Sequence, residues 1–141
     1  MLVHLTLADL PAMLPLLHQL NPDRPESTIV DRITIMFGLP HYRCFGWRDP
    51  EQDGRLIALS GGWRSTRIYC GEQLEIDHVI VDGSVQSGGV GARFLAAIEN
   101  WARENGVESV ELNAYTINYR GHKFYFRNEY HILGYHFQKV L

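Results

Sequence analysis

The sequence predicts an α/β (α+β) fold, a mixed sheet with helices on both faces. Three observations point to it. Strand-like and helix-like periodicities follow one another as strand, two helices, three strands, helix, strand, helix, strand. The strand–glycine turn–helix–strand unit at 73–114 reads as a right-handed parallel crossover. The 141 residues, 45% hydrophobic and 21% charged, suit a single domain, 1–141, with one core.

The elements come in order. Val3 to Leu7 alternates as a short strand. Leu10, Met13, Leu14, Leu17 and Leu20 recur at helical spacing, so a helix runs from about Asp9 to Leu20. Asn21-Pro22-Asp23-Arg24-Pro25 breaks the chain, and Ser27 is the expected cap of a second helix carrying Ile29, Ile33, Met36 and Phe37. Gly38 and Pro40 end it. Tyr42 to Trp47 and Arg55 to Trp63 flank the turn-rich 48–54 as a hairpin, and Gln73 to Val81 is a further strand. Gln86 to Gly91 turns into a helix with an apolar stripe of Val90, Phe94, Ile98, Trp101 and Ala102 and a polar face of Arg93, Asn100, Arg103 and Glu104. Gly106 stops that helix. Ser109 to Ala114 is a strand, Asn118 caps a short helix through His122 and Tyr125, and Tyr130 to Val140 closes the chain as a strand.

Composition narrows the function. A net charge of −3 without a basic run argues against nucleic acid as the main partner. No apolar stretch approaches the roughly 20 residues that span a bilayer, and the N-terminus does not read as a signal peptide, so a cytoplasmic protein is expected. Cys44 and Cys70 lie far apart in no metal-like spacing and read as reduced thiols; no metal is expected.

The glycine-rich turn carries the first chemical signal. Glycines entering a helix expose unpaired N–H groups where the helix dipole is positive, which is how a pyrophosphate is held. Gln86, Ser87, Gly88, Gly89, Val90, Gly91 and Ala92 fit that design. The nucleotide-triphosphate loop needs Gly-Lys-Ser/Thr, which is absent. The dinucleotide fingerprint needs a third glycine where this chain has Phe94.

The run Glu75-Ile76-Asp77-His78-Val79-Ile80-Val81-Asp82 followed by Gln86-Ser87-Gly88-Gly89-Val90-Gly91 resembles the acyl-CoA signature of the GNAT superfamily, Q/R-x-x-G-x-G/A after a strand. Asn118-x-x-Gly121-x-x-Phe124-Tyr125-x-x-x-Glu129-Tyr130 resembles that family's second motif, at the right distance and in the right order of elements. The resemblance implies a mostly antiparallel sheet with a splayed parallel strand pair that holds acyl-CoA. It implies acetyl-CoA as co-substrate, with main-chain groups of Val79 and Val81 on pantetheine, N–H groups from Gly88 through Ala92 on pyrophosphate, and Asn118 on the pantetheine arm. Two departures stand out. Gln86 occupies a position usually held by Arg, which removes a cation. Glu129 replaces the usual Gly, and Asn128 is the candidate for the left-handed conformation in its place.

The implied activity is transfer of an acetyl group to a primary amine of a small molecule or peptide. An ammonium must lose a proton before it attacks a thioester, and the leaving thiolate needs a proton or hydrogen bond. Tyr125 matches the family tyrosine that faces the thioester sulfur, and a main-chain N–H near Val81 is the expected oxyanion donor. Glu75 matches the position of a carboxylate base in several members, while Asp77 and His78 are alternatives. Strand alternation puts Glu75 and Asp77 on one face and His78 on the other. Tyr115 is a candidate relay; His122 reads as a surface residue, and His131 and His136 as packing residues. The acceptor is expected near 21–27, His41, Tyr42 and Trp63, where no dense acidic cluster indicates a polycation. The alternative reading is a non-catalytic acyl-CoA-binding sensor or partner module. Homodimers are common in the family, and the oligomeric state here is open.

Overall fold

The computed structural model describes residues 1–85 and 88–141. The chain falls into two compact units, Met1–Glu111 and Leu112–Leu141. The first unit contains β1 (Leu2–His4), α1 (Leu10–Leu20), α2 (Glu26–Phe37), β2 (Tyr42–Asp49), β3 (Arg55–Arg67), β4 (Gly71–Val81) and α3 (Val90–Glu104); β5 (Ser109–Leu112) runs up to the seam. The second unit holds α4 (Tyr119–Arg127).

The sheet is mixed, with strand order β1-β2-β3-β4-β5. The first three pairings are antiparallel. The start of β5 lies beside the start of β4, where the Glu108 N–H donates to the Glu72 carbonyl at 2.7 Å. The α3 crossover thus returns the chain to the end of the sheet from which β4 began.

Strand alternation divides the core. Tyr42 and Cys44 join Leu59, Met13, Leu16, Leu17, Ile29 and Ile33 in the core cluster beneath α1 and α2. On the opposite face Phe45 meets Trp101 at 4.9 Å between ring centroids, and Trp47 meets Phe94 at 6.1 Å. The apolar face of α3 buries Val90, Phe94, Leu95, Ile98 and Ala102. Leu95 takes the place foreseen for Trp101, which is only half-buried. Phe94 is 1% exposed, so Phe94→Ala is expected to cost about 3–5 kcal/mol of unfolding free energy in a denaturant titration.

Several local expectations need correction. Ser27 is not a cap: α2 starts at Glu26 after Pro25, with no side-chain cap bond, and Glu26 places an anion in the first turn where the dipole favours it. Asn128 does not take the left-handed conformation after α4. Glu129 does, at φ 66°, while the Tyr130 N–H reaches back to the Tyr125 carbonyl at 3.0 Å. Tyr130 to Val140 is not a strand. Among the described residues it pairs with no other segment in a ladder, and a strand is defined by such pairing. His131 and His136 on that segment are exposed rather than packed.

Candidate functional site

The turn before α3 has the features of an anion cradle. Gly89 sits at φ 70° as the residue preceding the helix, and among the described residues no side chain caps the helix start. The first intrahelical bond runs from the Arg93 N–H to the Gly89 carbonyl, so the N–H groups of Val90, Gly91 and Ala92 have no partner within the helix. Gly88 and Gly89 are exposed, Gly91 and Ala92 half-buried, and the Val90 side chain anchors the turn in the core. Gln86 and Ser87 lie outside the described residues.

Arg93 was assigned by helical projection to the outer face, and it is exposed. Its guanidinium nevertheless folds back to donate to the Gly88 carbonyl at 2.9 Å. A Cβ on Gly89 would stand 3.3 Å from its Nη1. Helical side chains lean toward the N-terminus, so an arginine one turn inside the helix supplies a cation at the mouth of the turn. That spacing from Gly89 was the available signal.

The strand leading to this turn is irregular. Asp77 faces Gly61 and Ile80 faces Leu59, so β4 carries one extra residue against Ser60. His78 takes the extra turn at φ 36°, a conformation uncommon outside glycine. The bulge overturns the expected alternation. Asp77 and His78 lie on the same face, not opposite faces, and touch: His78 Nδ1 is 3.3 Å from Asp77 Oδ2, and the His78 N–H donates to Asp77 Oδ1 at 2.7 Å. The imidazole lies above Gly61, where a Cβ would meet Nε2 at 2.4 Å. Its Nε2 is 3.0 Å from the Tyr42 hydroxyl. The buried Ser60 hydroxyl tethers the bulge through the Asp77 carbonyl at 3.2 Å.

An aromatic wall surrounds this cluster. Tyr42 packs on Trp63 at 4.8 Å and on Phe37 at 5.5 Å, and His41 lies 5.6 Å from Trp63. His78 and Trp63 hydrogen-bond the Asp77 carboxyl and hold it down to about 2, against the opposing effect of burial. Burial pushes the Cys44 thiol up to about 12 and raises Tyr42 above its ordinary value. Glu75 lies opposite Trp63 and is half-buried on the same face as Asp77. Val79 and Val81 are half-buried, with Val81 opposite Ala58.

In the second unit, Asn118 caps α4 by accepting from the Gly121 N–H at 2.9 Å. Tyr125 stacks against Phe124 at 5.2 Å and Tyr130 at 5.8 Å, and burial raises its hydroxyl above the ordinary phenol value. His122 binds the Tyr115 carbonyl at 2.9 Å, while the Tyr115 side chain is 85% exposed. Among the described residues no group of His, Cys, Asp and Glu could hold a metal, and no helix is long and apolar enough to cross a membrane.

The sequence model of the acetyltransferase (GNAT) family matches residues 11–130. No curated protein matches the chain. Among solved structures, ribosomal-protein-alanine N-acetyltransferase from Brucella melitensis biovar Abortus 2308 is similar over 100% of this chain and 99% of its own, at 18% identity and TM-score 0.83. A putative acetyltransferase from Agrobacterium tumefaciens str. C58 shares 19% identity over 100% and 99%, at TM-score 0.84. The aminoglycoside N-acetyltransferase AAC(6')-Iy, solved in complex with CoA, shares 15% over 100% and 93%, at TM-score 0.83.

Proposed function

Because this chain belongs to the acetyltransferase (GNAT) family, we propose that residues 1–141 act as one cytoplasmic N-acetyltransferase domain that moves an acetyl group from acetyl-CoA to a primary amine of a small molecule or peptide. The observation that carries this reading is the uncapped start of α3 behind Gly88 and Gly89, with Arg93 folded over it. Uncapped amides, a positive dipole end and a guanidinium together suit the pyrophosphate of CoA. Arg93 makes up for the cation missing at Gln86.

When bound, acetyl-CoA supplies the activated acetyl group. The residues proposed to hold it are Gln86, Ser87, Gly88, Gly89, Val90, Gly91 and Ala92 at the pyrophosphate, main-chain groups of Val79 and Val81 along pantetheine, and Asn118 on its arm. Tyr125 is the proposed donor to the departing sulfur. Its raised pKa keeps the hydroxyl protonated at neutral pH, as a donor requires. Glu75 is the carboxylate proposed to receive the acceptor's ammonium. No covalent enzyme intermediate is needed when donor and amine lie side by side.

The test is release of free thiol from acetyl-CoA by the purified protein across an amine panel. At a hundredfold excess over its dissociation constant, acetyl-CoA is expected to stabilise the fold by about 2.7 kcal/mol in a thermal scan. Stabilisation without thiol release for any amine points instead to a binding module. Absence of both stabilisation and thiol release overturns the reading.

A further inference from the structure

Resting on the acetyltransferase reading, we propose that His78, rather than Glu75, takes the proton from the acceptor ammonium, with Asp77 and Tyr42 as its positioning residues. The bulge of β4 is the first ground. A histidine at φ 36° is strained, and such strain persists only where surrounding structure holds it. Here the surroundings are specific. Gly61 leaves the space the ring fills, and any side chain there would evict it. The Ser60 hydroxyl ties down the carbonyl that precedes the bulge.

The second ground is that the ring is served in both charge states. In neutral His78, Nδ1–H donates to the Asp77 carboxylate, and Nε2 accepts the Tyr42 O–H. In the imidazolium, Nδ1–H keeps its carboxylate and Nε2–H donates to the Tyr42 oxygen. The Tyr42 O–H then points away from the ring. A proton can therefore arrive while both ring nitrogens keep a partner. Glu75, Cys44 and His41 are further titratable groups on this face, and α2 contributes the uncharged Phe37.

The third ground is position. His78 directly precedes Val79 and Val81 on the strand that feeds the α3 cradle, and its side chain is 13% exposed, enough for a water to reach it. In the step, the ammonium gives one proton through that water to the Tyr42–His78 pair, where it ends on Nε2 as the Tyr42 O–H shifts its own proton across, and the ammonium becomes a free amine. The amine attacks the thioester carbon, the C–S bond breaks, the sulfur leaves with a proton or hydrogen bond from elsewhere, and the nitrogen sheds its second proton to solvent, which gives the neutral amide. His78 then returns its proton to solvent.

The experiment compares the parent, H78N, E75Q and Y42F in steady-state kinetics from neutral to alkaline pH. Asparagine tolerates the left-handed conformation, so H78N retains the bulge; its melting temperature and acetyl-CoA affinity should equal the parent's. Turnover of H78N at neutral pH is expected to fall about 100-fold, and the deficit to shrink as the pH rises and the amine deprotonates unaided. Y42F is expected to lower kcat about tenfold at unchanged KM. H78N within threefold of the parent, an equal deficit at every pH, a larger loss in E75Q, or an unchanged kcat in Y42F overturns the assignment. A parent that releases no thiol with any amine overturns the transferase reading itself, before any variant is compared.

Discussion

Gly89→Glu is expected to abolish the thermal shift produced by acetyl-CoA and to weaken binding at least a hundredfold, about 2.7 kcal/mol. Three effects act together. The backbone at φ 70° disfavours any Cβ by roughly 1–2 kcal/mol. The new side chain would project beside Arg93 Nη1, 3.3 Å from the Cβ position. Its carboxylate would then pair with that guanidinium and lie over the first amides of α3, where the pyrophosphate is proposed to bind. Gly89→Ala separates these effects, because it carries the backbone strain without the anion. Calorimetry should find the alanine variant within about thirtyfold of the parent, the most that roughly 1–2 kcal/mol of strain alone can cost. Normal affinity in the glutamate variant would remove the cradle from the proposal.

Tyr125→Phe is expected to lower turnover roughly 10–1000-fold, within the range of general-acid contributions. The ring contacts with Phe124 and Tyr130 survive the change, so stability should alter little. Acetyl-CoA affinity by calorimetry should be nearly unchanged, since only one hydroxyl is lost. A loss confined to kcat identifies a group acting in the transition state. Turnover within twofold of the parent would mean that the sulfur takes its proton from water.

The helices, the antiparallel hairpin and the α3 crossover were legible because their signals are local. Leu10 through Leu20 repeat at helical spacing, the 48–54 turn sits between two apolar runs, and glycines mark both ends of α3. The cradle was legible for the same reason. What escaped the sequence depended on another strand or on side-chain direction. Period-2 counting places His78 opposite Asp77 unless Ser60 is known to face two residues, and that is a property of the β3–β4 register. Gly61 reads as an ordinary strand glycine until the imidazole is seen above it. Arg93 reads as solvated until its side chain is followed back along the helix. Tyr130 to Val140, rich in aromatic residues, reads as a strand, but a strand requires a hydrogen-bonding neighbour, which no local pattern supplies.

The strand order β1-β2-β3-β4-β5 also governs how the molecule is made. β3 and β4 each pair with the strand just before them in the chain, separated by a short turn, so these ladders close small loops. A chain emerging from the ribosome at roughly 5–20 residues per second can complete the β2–β3–β4 meander while 112–141 is still being synthesised. The Asp77–His78 bulge, with Gly61 and Tyr42 across from it, is therefore set by pairings available to the nascent chain. α4, which carries Tyr125, then forms from local contacts within 112–141.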